Sequence, residues 1–407
     1  MAKVKNLILL VIIMCFLCMF LSSCILQSTK VKEDIFTESS EINFVREEYA
    51  KDFRLTQFIE TDSINLFVNL FEDENKLSFY NYNSGQFLYD IKIPTKYRIG
   101  NYFVNNLNSI YFIPHYYFKV FEYKPLENTV ISVFELIDAD PENMYIGYRM
   151  SARTLKMFED YDMGLVQEID ANDFYVNDTV FYIKNSIDPR EDLNIQRSLY
   201  ILSTKKNQFY INSKVGIFPK KMDAKDKTLY PFTREIFYAV NNKNQTVISY
   251  MADNSLYIYE DTTLIKTIDC KSSIIDKLPE FIEVTEYVDM YKNMNMKEPY
   301  FVKKVDRSKL IKERLSTNNY YQNLYYDTYR NVYYRIVSIN KNEDKKFSIM
   351  LIDSDFKVIG EQIFSAKDYI SYSLKITNEG IMIQRKDDLS GTTRYTLFKI
   401  NEKYLKK

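Results

Sequence analysis

Short runs of alternating apolar and polar residues recur along most of this chain, separated by turns rich in Asn, Asp and Lys. A period of two puts every second side chain on one face, the pattern of a strand that buries one side. Leu77–Tyr82, the turn Asn83-Ser84-Gly85 and Gln86–Ile93 read as a hairpin, with Ser63–Phe71 as a strand before it. The same grouping returns at 109–134, 174–212, 235–270, 320–364 and 373–400, which makes six groups. The residue supply suits strands: there are 36 Tyr and 28 Phe, both favoured on a pleated, half-buried surface, and no Trp.

Six successive small antiparallel sheets predict an all-β fold, a six-bladed β-propeller-like ring over residues 41–407. The last group lacks an outer strand. Residues 41–48 or 52–60 can supply it and close the ring with N-terminal chain, which leaves only short, protected edges. A β-sandwich, or two smaller β domains, is the competing arrangement. Residues 276–296 and 302–315 depart from the alternation. Their spacing, as in Val305, Leu310, Ile311 and Leu315, predicts a helical insert around residues 271–319. Inserts on rigid scaffolds often carry binding, so 271–319 is the first functional region to inspect; a plain covering element is the alternative.

Ahead of the strands, Lys3 and Lys5 precede a 15-residue apolar run, Leu7–Leu21, which ends in Leu21-Ser22-Ser23-Cys24. This is the layout of a secretory signal, and its last four residues resemble a bacterial lipobox. The resemblance implies cleavage after residue 23, diacylglyceryl transfer to the Cys24 thiol, and acylation of the new amino terminus. An uncleaved membrane helix is the other reading, but the run falls short of the roughly 17–25 residues that cross a bilayer. The chain therefore divides into a signal peptide (1–23), a flexible linker from the lipidated cysteine (24–40) and the folded domain (41–407). Lys32-Glu33-Asp34 resembles the triplets that some Gram-negative lipoproteins use for surface export; solvated linker charge is the plainer account.

Composition argues against several chemistries. Once Lys3 and Lys5 leave with the signal, the net charge goes from −1 to −3, which gives nucleic acid no electrostatic attraction. The eight glycines form no G-x-x-x-x-G-K, G-x-G-x-x-G or G-x-S-x-G pattern, so nucleotide-cradling loops and the hydrolase elbow are not expected. His115 is the only histidine, and zinc sites need several His or Cys ligands. No metal or other cofactor is expected. Cys15 and Cys18 go with the signal, so Cys270 is the one free thiol beside the lipidated Cys24, and no intrachain disulfide can form. Cys270 ends the run Leu264–Cys270 and reads as a small buried strand residue. Nucleophilic catalysis would need an adjacent base, and His115 lies more than 150 positions earlier.

The segment Tyr320-Tyr-Gln-Asn-Leu-Tyr-Tyr-Asp-Thr-Tyr-Arg-Asn-Val-Tyr-Tyr-Arg335 runs on to Phe347–Asp353 and Phe356–Glu361. It resembles a family of Gram-negative lipoproteins of unknown function with TolB-like, six-bladed propeller folds; Asn108–Ile113 and Ser249–Tyr259 are similar too. The resemblance covers most of residues 50–400. It implies the fold and the anchor, and it carries over no catalytic residue. Within the segment, Asp327 to Asn331 reads as a turn in which Asp327 accepts backbone N–H bonds, with Arg330 or Arg335 stacked on Tyr rings. Structural locking of a blade is one account; a ligand-facing surface of Tyr326, Asp327, Tyr329, Arg330 and Arg335 is the other. The chain is expected to be an outer-membrane-anchored lipoprotein, facing the periplasm or the cell surface. It would be a non-catalytic propeller that binds or scaffolds a protein, peptide or glycan. An envelope hydrolase or lyase is the alternative, with carboxylates such as Glu283, Glu286 and Asp289 as acid/base candidates. A structural subunit of an envelope complex is a third reading.

Overall fold

With so few glycines, the tight turns of this chain fall to asparagine. Asn75, Asn128, Asn244 and Asn331 all hold positive φ, as do Asp261 and Phe356. Asn and Asp tolerate the left-handed region because their short side chains bond locally. Two glycines among the described residues leave no room for a side chain: at Gly85 (φ +69°) a Cβ would sit 1.9 Å from the Asn43 carbonyl oxygen, and at Gly380 2.2 Å from that of Phe398.

The computed structural model describes residues 35–45, 56–61, 63–114, 119–135, 174–177, 180–184, 199–205, 208–216, 227–228, 236–278, 282–283, 318–340, 345–386 and 392–405. The first strand is Phe36–Val45 (β1). Thr56–Ile59, Leu66–Phe71, Lys76–Asn81 and Phe87–Lys92 follow as β2 to β5, and Ile99–Asn106, Ser109–Pro114, Lys119–Lys124 and Thr129–Glu135 as β6 to β9. Phe174–Asn177, Val180–Lys184, Leu199–Lys205 and Gln208–Val215 are β10 to β13, and Lys227–Thr228 is β14. Ile236–Val240, Thr246–Tyr250, Ser255–Glu260 and Thr263–Asp269 are β15 to β18, and Ile282–Glu283 is β19. Tyr320–Asp327, Val332–Ile339, Lys346–Asp353 and Val358–Ser365 are β20 to β23, and Lys375–Ile376, Ile381–Gln384 and Thr392–Ile400 are β24 to β26.

These strands form four-stranded antiparallel sheets in the orders β2-β3-β4-β5, β6-β7-β8-β9, β10-β11-β12-β13, β15-β16-β17-β18, β20-β21-β22-β23 and β24-β25-β26-β1, plus the pair β14-β19. Side chains are described in five of the four-stranded sheets; for β10–β13 only the backbone pairing is described. The first strand of each sheet is innermost: β2 lies against β24 and β6, β6 against β10, and β15 against β20. The result is an all-β propeller ring of small antiparallel sheets. Among the described residues the helical content is three short 3-10 turns, Glu72–Glu74, Ser371–Ser373 and Glu402–Tyr404.

The core lies between sheets. Leu66, Val68, Leu77 and Phe79 of one sheet meet Ile99, Tyr102, Ile110 and Phe112 of the next. Comparable clusters join β15–β18 to β20–β23 and β20–β23 to the last sheet. Phe44 of β1 is fully buried, stacks on Phe67 at 4.3 Å and meets Tyr80 and Tyr395 edge-on. The middle strands are buried on both faces, whereas β5 and β18 are largely exposed outer strands. This is why central runs such as Val332–Ile339 are mostly apolar on both faces, with Arg335 and Ser338 the exceptions.

The outer strand of the last sheet comes from the N-terminus. β1 pairs antiparallel with β26 from Phe36↔Ile400 to Val45↔Thr392. It overlaps the 41–48 segment singled out in the sequence, whereas 52–60 contributes the innermost strand β2 of the first sheet. β1 also takes in residues 36–40, which the sequence reading gave to the linker; Ile35 and Phe36 are buried and end that linker earlier. The helical insert needs a local correction as well. Ile282–Glu283, inside the stretch read as helix, is a strand paired with Lys227–Thr228, because a partner strand satisfies its backbone groups and overrides spacing. The remainder of 279–317 lies outside the described residues, as do residues 1–34 and His115.

The ring has two unlike faces. Each sheet is a meander, so the turns after its first and third strands lie at one end, here the lower face. The turns after its second strand and the connections to the next sheet lie at the upper face. No connection on the lower face exceeds six residues, whereas the strands that flank 136–173, 216–235 and 270–319 all end or begin at the upper face. The pair β14-β19 joins two of these long connections.

Candidate functional site

The five residues proposed from sequence as a ligand surface separate into two places. Tyr326, Asp327, Tyr329 and Arg330 occupy the β20–β21 turn on the lower face, and Arg335 lies inside the joint between two sheets.

In the turn, Asp327 is fully buried and organises its neighbours. Its Oδ1 accepts the backbone N–H groups of Tyr329 (2.9 Å) and Arg330 (3.0 Å). Its Oδ2 accepts Arg330 Nη1 at 2.8 Å and the Tyr334 hydroxyl at 2.5 Å. Burial, with Asp327 beside it, holds the Tyr334 hydroxyl well above the ordinary phenol range. Arg330 reaches on to the last sheet, donating to the carbonyls of Thr377 (3.0 Å) and Asn378 (2.7 Å). The Tyr329 hydroxyl donates to Glu60 at 3.0 Å, and Asn378 Nδ2 donates to the same carboxylate at 3.0 Å. Three sheets, entered through β2, β20 and β24, are thereby laced together near the ring axis. Tyr326 donates its hydroxyl to Asn331 at 2.6 Å. The charged and hydroxyl groups of this turn serve the ring itself, and only Tyr329 keeps an exposed ring (45%).

Arg335 sits mid-strand in β21, fully buried, and reaches into the neighbouring sheet. Its Nε donates to Ser249 Oγ at 2.9 Å. Its Nη groups donate to the carbonyls of Asn254 (2.6 Å), Cys270 (3.2 Å) and Asp253 (2.5 Å). The guanidinium lies 3.4 Å over the Tyr321 ring, a cation–π contact in a dry environment. Tyr321 in turn accepts the Ser272 N–H (2.9 Å) and donates to Asn254 Oδ1 (2.8 Å). Burial raises the Tyr321 hydroxyl to about 12, with the Arg335 charge acting against that rise.

Beside it lies a carboxylate that sequence reasoning missed. Glu361 of β23 is fully buried. It accepts the hydroxyls of Ser272 (2.7 Å), Ser348 (2.5 Å) and Ser273 (2.9 Å), and the Ser273 N–H (2.8 Å). The run Lys357–Phe364 placed Glu361 on a strand but gave no sign that Ser272, 89 positions away, would meet it. Together Arg335, Tyr321 and Glu361 fix the upper-face segment 270–273, where the connection 270–319 begins. That connection ends at the same corner, where Tyr321 N–H bonds to the Met251 carbonyl (3.0 Å) and Asn319 Oδ1 accepts the Asn340 N–H (2.9 Å). The scaffold thus holds both ends of the 271–319 region rigidly on the upper face.

Cys270 is buried in this joint and donates its thiol to the Phe356 carbonyl at 3.2 Å. Burial pushes the thiol up to about 11, the opposite of an activated nucleophile. Glu283 lies in β19, where only the backbone is described; Glu286, Asp289 and Cys24 lie outside the described residues. Among the described residues, no group of three or more His, Cys, Asp or Glu side chains converges as a metal site would require.

The matched family fits this architecture. The domain-of-unknown-function family DUF4221 matches residues 53–363, three quarters of the chain. The chain belongs to the DUF4221 family. A crystal structure of a DUF4221 member from Bacteroides vulgatus superposes with a TM-score of 0.63 at 15% identity, covering 92% of this chain and 99% of that one. A putative exported protein from Bacteroides fragilis is similar at a TM-score of 0.48 and 11% identity, covering 91% and 97%. No curated protein sequence matches the chain. For this DUF4221 protein the comparison supports the propeller fold and assigns no activity.

Proposed function

We propose that this DUF4221 protein is a six-bladed propeller, lipid-anchored through Cys24 to the outer membrane, that binds a protein, peptide or glycan without transforming it. The carrying observation is the asymmetry of the ring: every connection longer than six residues emerges on the upper face. Long connections held on a rigid scaffold are where propellers and other β folds place recognition. The Arg335–Tyr321–Glu361 joint supports the same reading, because it holds the root of the longest connection in a fixed place. The inert setting of Cys270 supports binding over nucleophilic catalysis. The Leu-Ser-Ser-Cys boundary after the apolar run supports the anchor.

Tyr372, 59% exposed in the upper-face connection 366–374, is the described residue best placed to test the reading. Chains lacking residues 1–24 would be screened against immobilised envelope glycans and peptides, with bound material analysed by mass spectrometry. A ligand recovered unaltered, and held more weakly by Tyr372→Ala, supports a binding propeller. Recovery of cleaved or eliminated products would replace it with the hydrolase or lyase reading.

A further inference from the structure

Asn69 is a buried amide that the ring leaves unanswered. It lies mid-strand in β3, 0% exposed, and among the described residues neither its Oδ1 nor its Nδ2 has a hydrogen-bond partner. Its cross-strand neighbour Thr56, on the innermost strand β2, is also buried, and the Thr56 Oγ1 makes no bond of ordinary length. Directly paired residues project from the same face of a sheet. Two residues before Asn69, Phe67 stacks on Phe44 of the last sheet, so by the period of two Asn69 and Thr56 face that sheet as well. An interior amide without a partner calls for an explanation.

The facing wall comes from β25 and β26. Gln384 and Tyr395 are a cross-strand pair on the face that carries Met382 and Leu397 toward the first sheet. Both are buried, and the Tyr395 hydroxyl makes a long bond, 3.4 Å, to Gln384 Oε1. Thr56 and Tyr372 both lie close enough to act on that hydroxyl. Tyr372 stands above, 59% exposed. Its 3-10 turn is fastened to the upper end of β25, where the Gln384 N–H donates to Ser373 Oγ (2.8 Å) and the Ile370 N–H to the Gln384 carbonyl (2.9 Å).

The chemistry left over is uncharged. Ser78, the other cross-strand neighbour of Asn69, donates to Asp90, and Asp90 is paired with Lys76 at 3.2 Å. Lys375, on the Met382 face of the last sheet, has contacts of its own. What remains is an amide and a hydroxyl, groups that both donate and accept. Neighbouring hydroxyls of a sugar ring match the amide: one donates to Asn69 Oδ1 while the next accepts from Nδ2. The Tyr372 ring offers an apolar face with a polar tip, on which the C–H face of a sugar can pack. An extended peptide would instead seek the backbone of a strand edge.

We propose that the upper half of the joint between the last and first sheets, beneath Tyr372, binds a neutral sugar unit of a glycan. This rests on the proposed role of the ring as a binding propeller. The joint is closed over Asn69 in this structure, so the sugar enters by parting its upper half. The lower turns stay clamped, with the Tyr82 hydroxyl on Thr377 Oγ1 (3.3 Å) and Asn378 Nδ2 on Glu60 (3.0 Å).

The test uses the full chain in detergent. It is screened on an array of neutral glucose, mannose and N-acetylglucosamine oligosaccharides beside a peptide library, and the oligosaccharide bound best is titrated by calorimetry. Asn69→Leu and, separately, Thr56→Val keep the side-chain shape and remove the polar atoms. The expected result is an unchanged or raised melting temperature in both variants, because no bond is lost, with binding about tenfold weaker in Asn69→Leu. An oligosaccharide bound equally by wild type and both variants would overturn the site and leave the binding reading standing. Binding of peptides alone, weakened by Tyr372→Ala, would overturn the sugar assignment and keep the upper face as the ligand face. A fall in melting temperature in both variants would show that the two groups are already partnered, and would overturn the proposal. Binding from neither library would overturn it as well. Conversion of the oligosaccharide to products would overturn the binding reading itself.

Discussion

Replacing Arg335 with methionine should destabilise the propeller at one joint. The guanidinium supplies donors to three carbonyls and one hydroxyl from the neighbouring sheet, and it lies on the Tyr321 ring. Methionine fills much of the same volume and donates nothing. Each buried acceptor left unpaired costs about 1–3 kcal/mol. Removing one charged member of a buried network typically costs about 3–5 kcal/mol in total. Relaxation around the joint keeps the sum below the full per-group figure, so about 3–5 kcal/mol is the expected loss. At about 2 °C per kcal/mol for a large domain, the melting temperature should fall by about 6–10 °C. Calorimetry measures the fall. Hydrogen exchange locates it, with amides of 250–256 and 270–275 exchanging faster and those of β3 and β4 unchanged. A melting temperature within about 2 °C of wild type, with unchanged exchange at 270–275, would refute the reasoning that Arg335 holds this joint.

Three further outcomes follow from the same geometry. Phe44→Ala should cost about 3–5 kcal/mol, because Phe44 is fully buried between β1 and the first sheet; urea unfolding followed by tyrosine fluorescence would show it, and an unchanged midpoint would contradict ring closure through β1. Buried Tyr82, Tyr321 and Tyr369 are raised from 10.0 to about 12, with desolvation the leading cause. Their contribution to stability is intact below pH 10, where both folded and unfolded phenols are protonated, and is lost as pH rises from 10 through 12; urea midpoints at pH 9 and pH 11 should differ sharply, and equal midpoints would be the contrary result. The Cys270 thiol, raised from 9.0 to about 11 by burial, should resist maleimide in the native protein below pH 9 and react only on unfolding; rapid native modification would contradict its buried setting.

The sequence carried most strands openly, the innermost β15, β20 and β24 among them, and concealed two inner ones, β6 and β2. β4, β5 and β17 alternate or end in clear turns, and their bounds fall within a residue or two of the runs read from the sequence. β6, Ile99–Asn106, was hidden because its run Ile-Gly-Asn-Tyr-Phe-Val-Asn-Asn mixes polar residues with a buried pattern set by two neighbouring sheets. β2 was legible only as a spare strand, because its place is set by β3 and not by its own four residues. The Asp327 turn was legible in detail, since an Asx turn depends on bonds two and three residues away. The role of Arg335 was not, because its partners at 249, 253, 254 and 270 come together only through the packing of two sheets. Glu361 was missed for the same reason. The isolated likeness of residues 276–296 to a helix failed at Ile282, where pairing with β14 gives the backbone another outlet.

The central claim is that the ring meets its ligand through the face from which its long connections emerge. Site-specific photo-crosslinking in native membranes tests it most directly, with a photoreactive amino acid at Tyr372 on the upper face and, in a separate variant, at Leu126 on the lower face. The account predicts a polypeptide or glycan adduct at position 372 and none at position 126. A polypeptide or glycan adduct at 126, with none at 372, would contradict it.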